Sequence, residues 1–159
     1  FREVYAWILG RIATSGWSEV VLMVPYFLLA AGIVFRYRRA LDVLAVGDEE
    51  AQALGLEPRK IRVIVVLAAS LGAAAAVSVS GLIGFVGIIV PHAVRLAFGA
   101  SHRVLVPLSI LFGGAFMVLA DLAARTIVEP AELPIGVVTA FLGAPFFVLV
   151  LRTSRRSVW

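Results

Sequence analysis

Four long stretches of this chain carry no charged side chain, and their lengths restrict what it can become. Sixteen uncharged residues lie between Glu19 and Arg36, thirty-two between Arg62 and Arg95, seventeen between Arg103 and Asp121, and nineteen between Glu132 and Arg152. A helix rises about 1.5 Å per residue, so about 20 residues cross a hydrocarbon core of about 30 Å. The first run crosses once if Trp17, Ser18 and the flanking charges reach the two interfaces. The second is too long for one crossing and is punctuated by Gly81, Gly84 and Gly87, which predicts two helices meeting near Ser80 to Gly87, the second continuing through Arg95 toward Gly99. The last two runs supply one span each. The expectation is an all-α, polytopic transmembrane helix bundle forming one partial domain over 1–159. About five spans are expected, near 17–36, 61–80, 82–99, 104–126 and 133–152, with a loop over 37–60 and with Phe1 to Arg11 as the candidate end of a sixth. No ten-residue stretch alternates in polarity, which argues against a β-barrel.

Composition agrees. Only 15% of the residues are charged and 62% are hydrophobic, whereas a soluble domain is about 25% charged. Alternating sides from the first span puts eleven of the fourteen basic residues together, in 36–62, 95–103 and 152–159, leaving Arg2, Arg11 and Arg125 opposite. Short loops retain positive charge on the cytoplasmic face, so the loop over 37–60 is cytoplasmic. The net charge of +4 divides into +6 on that face and −2 on the other. It is an orientation signal and no mark of a nucleic-acid partner. Ala68, Gly72, Ala76, Ser80 and Gly84 recur every fourth residue, a ridge that lets helix backbones approach closely. The sequence begins at Phe1, which suggests a piece of a longer polypeptide.

The one long hydrophilic segment reads as a knuckle. Gly47 leads into Asp48, a candidate N-cap; Glu49 and Glu50 suit the positive end of a helix dipole, and Gly55 suits a left-handed C′ position. Pro58 then favours the first turn of a second helix that carries Arg59, Lys60 and Arg62 into the membrane. A helix this short is unstable alone. Ala51, Leu54 and Leu56 offer an apolar face, either to another protein's groove or to anionic headgroups, two readings of equal standing at this point. The acidic first helix argues against DNA binding.

Catalytic signals are missing. The only lysine, Lys60, follows no glycine-rich phosphate loop, so ATP binding by that motif is excluded. His92 and His102 lack partners at metal-ligand spacing, and there is no cysteine, so neither a metal site nor a catalytic residue is expected. His92 inside an apolar helix reads first as a histidine hydrogen-bonded to a neighbouring helix and second as functional. Asp121 and Arg125, four apart, read as a structural ion pair ahead of a substrate contact. Gly136, Gly143 and Pro145 interrupt the last span, as pathway-lining or moving segments do, with kinked packing the equal alternative.

The order of the pieces VLAVGDEEAQALGLEPRKIR, GLIGFVGIIVPHAVRL, SHRVLVPLS, LADLAAR and PAELPIGVVTAFLGAPFFVLVL resembles the FecCD family, the permease subunits of type II ABC importers for vitamin B12, haem and ferric siderophores. The resemblance runs the length of the chain and implies the C-terminal half of a ten-span permease in the inner membrane. It implies that Gly47, Asp48, Glu49, Glu50, Ala51, Leu54, Gly55 and Leu56 belong to coupling helices that dock on an ATPase subunit. It places Gly81, Gly84, Gly87 and Pro91 in the family's G-x-I-G-F-V-G-x-x-x-P-H signature. Gly136, Gly143 and Pro145 fall in a final span near the pathway between two permease copies. The implied partners are a second permease copy, identical or not, two cytoplasmic ATPase subunits that hold ATP and magnesium, an extracytoplasmic substrate-binding protein, and the bilayer. No cofactor is implied in this chain, and the implied cargo is a metal chelate, ferric siderophore first, with cobalamin or haem as alternatives. Outside that family, an exporter and a non-transporting membrane scaffold remain as readings.

Overall fold

The computed structural model describes residue 10 and residues 16–127 and 133–154. The expected end of a sixth span at Phe1 to Arg11, Gly10 excepted, and the basic residues Arg155 and Arg156 lie outside them. The described residues form six helices: α1 (Trp17–Leu44), α2 (Asp48–Ala53), α3 (Pro58–Ser80), α4 (Val86–Phe98), α5 (His102–Thr126) and α6 (Ile135–Ser154). Three of them, α1, α3 and α5, are long and apolar enough to cross a membrane. The chain is a multi-pass membrane protein. Large side chains such as Val21, Leu67 and Phe141 stand exposed along the helices, surface that lipid or neighbouring helices would cover.

Helix α1 differs from expectation. It begins at Trp17, where Glu19 folds back to accept the Gly16 N–H at 2.8 Å; Gly16 has no side chain, so this cap works in one direction only. It then continues past Arg36 to Leu44, 28 residues in all, or about 42 Å. Charge ends the apolar run at Arg36 but breaks no helix, since arginine is a good helix former and no glycine or proline intervenes before Gly47. The length beyond the hydrocarbon core therefore projects from the bilayer, and the first part of the expected loop over 37–60 is a helical stalk. Over Phe35, the Arg38 guanidinium sits 3.7 Å from the ring centroid, which anchors the stalk at its base.

Helices α1 and α3 pack as the small-residue ridge predicts. Ala68 is buried, and a Cβ added to Gly72 would come within 3.0 Å of the Ala30 Cβ. Only a glycine allows that approach without displacement. The ridge stops at Ser80, because α3 ends there: Gly81 takes φ +71°, and Gly84 stands in open space.

Two helices meet between Ser80 and Val86, as expected, and the second runs to Phe98, but it begins later than the expected span over 82–99. Residues 81–85 are not helical, and α4 starts only at Val86. Its 13 residues cover about 20 Å, short of a hydrocarbon core by themselves. Phe85 precedes α4 at φ +67°, a left-handed conformation that costs a residue with a Cβ about 1–2 kcal/mol. Its ring is seated on Gly143 of α6, where any Cβ would run into the Phe85 Cβ and Cγ.

Two apolar clusters hold α4, α5 and α6 together. Ala120 and Ala124 of α5 pack with Ile135 and Val138 of α6, while Val90 and Val94 of α4 pack with Leu105 of α5; Phe116 touches both groups. The fully buried Thr139 returns its hydroxyl to the Gly136 carbonyl at 3.1 Å, so its own polar atom is paired within α6.

Candidate functional site

At the end of the α1 stalk the chain turns back through a knuckle built from residues 45–62. Gly47, not Asp48, takes the N-cap position of α2, and Asp48 becomes the first helical residue. Its carboxylate is thereby free to reach across to α3, where Arg62 Nη1 and Nη2 donate to Oδ2 and Oδ1 at 2.9 and 2.5 Å. This paired geometry fixes orientation as well as distance.

The far end of α2 closes in a Schellman motif. Gly55 adopts φ +75°, its N–H bonds the Gln52 carbonyl, and the Leu56 N–H bonds the Ala51 carbonyl, each at 2.9 Å. Three residues later Pro58 is buried at the first turn of α3, where its missing N–H costs nothing. Glu57 and Lys60 pair at 2.6 Å on the exposed side. Turn, cap and ion pair together make the α2–α3 junction short and stiff.

One expected surface residue is interior. Ala51 is fully buried, because α2 lies against both α1 and α3, so it supports the knuckle from within and presents nothing to a partner. Leu54 is 69% exposed at the end of α2, and Val46, ahead of α2, is exposed as well; Glu49 and Glu50 are exposed on α2, and Leu56 is half-buried. A groove of about 420 Å³ opens along the junction, lined by Asp48, Gln52, Leu56, Glu57, Arg59 and Arg62 among others.

Beside the knuckle lies a constellation that the linear sequence conceals. Asp42, on the stalk, accepts the His102 N–H at 2.5 Å and the Ser101 hydroxyl at 3.0 Å. Its Oδ1 also lies 3.0 Å from His102 Nδ1, and its Oδ2 lies 3.6 Å from Arg103 Nε. Burial works against the charged form of this carboxyl, but the hydrogen bonds from the His102 backbone, the His102 ring and Ser101 outweigh it and hold the pKa below the usual value. These contacts put the stalk and the 99–103 turn at the same end of the bundle, as alternating spans require.

The remaining singled-out residues lie elsewhere. Asp121 and Arg125 form the expected pair, Nε to Oδ2 at 2.9 Å, near the end of α5 away from the knuckle. Gly81, Gly84 and Gly87 sit in or beside the break before α4, and Pro91 lies within α4. Gly136 approaches that break: a Cβ on Gly10 would lie 2.9 Å from the Leu82 carbonyl oxygen and 3.3 Å from the Gly136 nitrogen. Gly143 receives Phe85, and Pro145 is exposed on α6. His92 departs from expectation. Among the described residues its ring meets Phe146 edge-on, centroids 6.0 Å apart, and donates no hydrogen bond to a neighbouring helix.

A family model described as the FecCD transport family matches residues 1–153. The chain belongs to the FecCD family. Its FecCD relatives include an uncharacterized ABC transporter permease protein of Bacillus subtilis, 46% identical over 95% of this chain and 43% of the relative. Another is a cobalamin import system permease protein of Halobacterium salinarum, 45% identical over 95% of this chain and 40% of the relative. Relatives named for Fe(3+)-citrate, hemin and molybdate systems are 38–39% identical. Among solved structures, an inward-facing metal-chelate type ABC transporter superposes with a TM-score of 0.89 at 35% identity, over 96% of this chain and 49% of that one. The chain thus spans about half the length of the relatives it matches, and in this FecCD chain the knuckle joins the first two long helices.

Proposed function

We propose that this chain is the C-terminal half of the membrane-spanning permease subunit of an ATP-binding cassette importer. The observation that carries the reading is the knuckle: a short, stiff, helix-joined element presenting one exposed leucine amid acidic side chains, in a chain of the FecCD family. In this reading the knuckle faces the cytoplasm and the chain crosses the membrane five times, the break at 81–85 completing the crossing that α4 begins. Residues 47–56 dock on a separate ATPase subunit, with Leu54 as the apolar contact and Glu49 and Glu50 beside it. Two permease copies enclose the pathway. ATP and magnesium act on the ATPase, and a binding protein delivers cargo from outside.

Mechanically, closure of two ATPase subunits displaces the knuckle, and a two-state bundle converts that displacement into a change of access. Displacement reaches the spans only if the knuckle does not flex. The Schellman closure at Gly55, the buried Pro58 and the Asp48–Arg62 pair supply that stiffness.

The cargo proposed is a metal chelate, ferric siderophore before others; relatives named for metal-chelate, cobalamin and Fe(3+)-citrate transport support the class. Cobalamin is the second reading, favoured by the relative at 45% identity. The knuckle assignment is tested with Leu54→Arg in the complete transporter. Uptake and cargo-stimulated ATP hydrolysis should both be lost while membrane insertion is retained, and unchanged uptake would overturn it. Uptake of labelled iron chelate measured against labelled cobalamin decides the cargo.

A further inference from the structure

We propose that Asp42 is a positioning residue of the transport cycle, tying the start of α5 to the stalk so that α5 moves with the knuckle. This rests on the permease reading above. The knuckle is joined by the chain to α1 and α3 only. Helix α5 follows α3 by way of the break at 81–85 and the whole of α4, an indirect path, and its direct route to the knuckle is its contact with α1. Asp42 is the polar tie in that contact, next to the knuckle.

The contact is built from both sides. An α-helix begins with N–H groups that have no partner within it and carries partial positive charge at that end, so a carboxylate placed there is favoured. Ser101 occupies the residue before α5 and is of the type that usually caps its own helix, yet it makes no such cap. Its hydroxyl turns instead to Asp42 Oδ2, while the His102 N–H is satisfied by Asp42 Oδ1. The cap of α5 is therefore supplied by α1. His102 Nδ1 and Arg103 Nε approach the same carboxylate, and Arg38, one turn back on the stalk, reaches the Arg103 carbonyl at 3.5 Å.

Asp42 lies two residues before the end of α1, and only residues 45–47 separate α1 from α2. A push on the knuckle thus acts on the stalk next to the carboxylate. At its other end α5 packs through Ala120 and Ala124 on α6, beside the break that precedes α4. Through the tether, one helix spans the distance from the knuckle to that crossing.

The test uses the complete transporter, reconstituted in proteoliposomes with its ATPase and binding protein and supplied with ferric siderophore and with cobalamin. Asp42→Ala should leave assembly and basal ATP hydrolysis intact while cargo moved per ATP falls about ten-fold, a size ordinary for coupling between distant sites. Asp42→Asn, which keeps one acceptor oxygen, should fall between the two. A purely structural role would lower yield or thermal stability and leave that ratio alone. This chain has no cysteine, so Asp42→Cys with Ser101→Cys, in an otherwise cysteine-free complex, can be joined by a short bifunctional methanethiosulfonate and released by reductant. The joined pair should recover transport per ATP and the released pair lose it. An unchanged ratio in Asp42→Ala, or transport blocked by joining the pair, would overturn the tether. Absence of uptake of either cargo by the unaltered transporter would instead overturn the permease reading on which the tether depends.

Discussion

The knuckle end of the molecule and the crossing of Phe85 on Gly143 both fix one helix against another, by opposite means. At the knuckle, carboxylates reach between elements: Asp48 to Arg62, Asp42 to Ser101 and His102. At the crossing no charge takes part, and position is set by a ring filling the space a side chain would occupy on α6. The division follows the solvent. In the aqueous region a directional ion pair can form and re-form at modest cost, whereas in hydrocarbon an imperfectly paired charge is expensive and shape alone must hold register. The knuckle end should therefore respond to loss of a carboxylate that bridges two helices, and the crossing to volume.

The largest effect is expected where volume is changed. Gly143→Leu should displace Phe85 and cost about 3 kcal/mol or more, read as a marked fall in the melting temperature of the purified complex. In a Phe85→Gly background, which removes the ring and relieves the left-handed strain, Gly143→Ala should cost little or even stabilise, by up to about 1 kcal/mol from helix propensity. Gly143→Ala costing the same in the native and the Phe85→Gly backgrounds would mean that the ring does not set the crossing. Second in size is Ala51→Glu, which buries a carboxylate between α1, α2 and α3; several kcal/mol should be lost, and protease should cut the 45–57 segment faster. Gly55→Val comes next. A β-branched residue held at φ +75° should cost about 1–2 kcal/mol and lower transport per ATP more than it lowers melting temperature. Smallest is Lys60→Ala, whose ion pair is exposed on both sides and contributes about 0–1 kcal/mol; transport at 0.5 M salt and at low salt should be nearly equal to that of the unaltered protein.

Much of the architecture was legible in the chain itself. Uncharged runs located the long helices, Gly55 and Pro58 announced the knuckle's turn, and the spacing of Asp121 and Arg125 foretold their pair, because each signal is local and acts within one or two turns. The failures share a different cause. Asp42 was only a charge in the count, since the residues that give it a role lie about sixty positions on, and nothing in the spacing connects them. Ala51 reads as partner-facing because a short helix's pattern shows which face is apolar, and not that α1 and α3, on either side of it in the chain, fold back over that face. The stalk to Leu44 was missed because the hydrophobic run ends before the helix does, and Phe85's left-handed backbone carries no residue signature, aromatic side chains being unusual there. The coupling role given to 47–56 came from family likeness, not from the physics of those residues, which left a headgroup-bound helix equally open.

The seating of Phe85 on Gly143 limits what kind of motion this bundle can make. A ring standing in a notch one residue wide acts as a key: α6 can neither slide along its axis nor spin about it without first lifting the key out, and the other glycine on that face of α6, Gly136, lies two turns or about 10 Å away. Tilting, in which the break and α6 swing as one piece, leaves the key in place. In the proposed permease, a change of access that keeps this seat intact is hinge-like rocking, with the register of the last described helix carried unchanged from one state to the other.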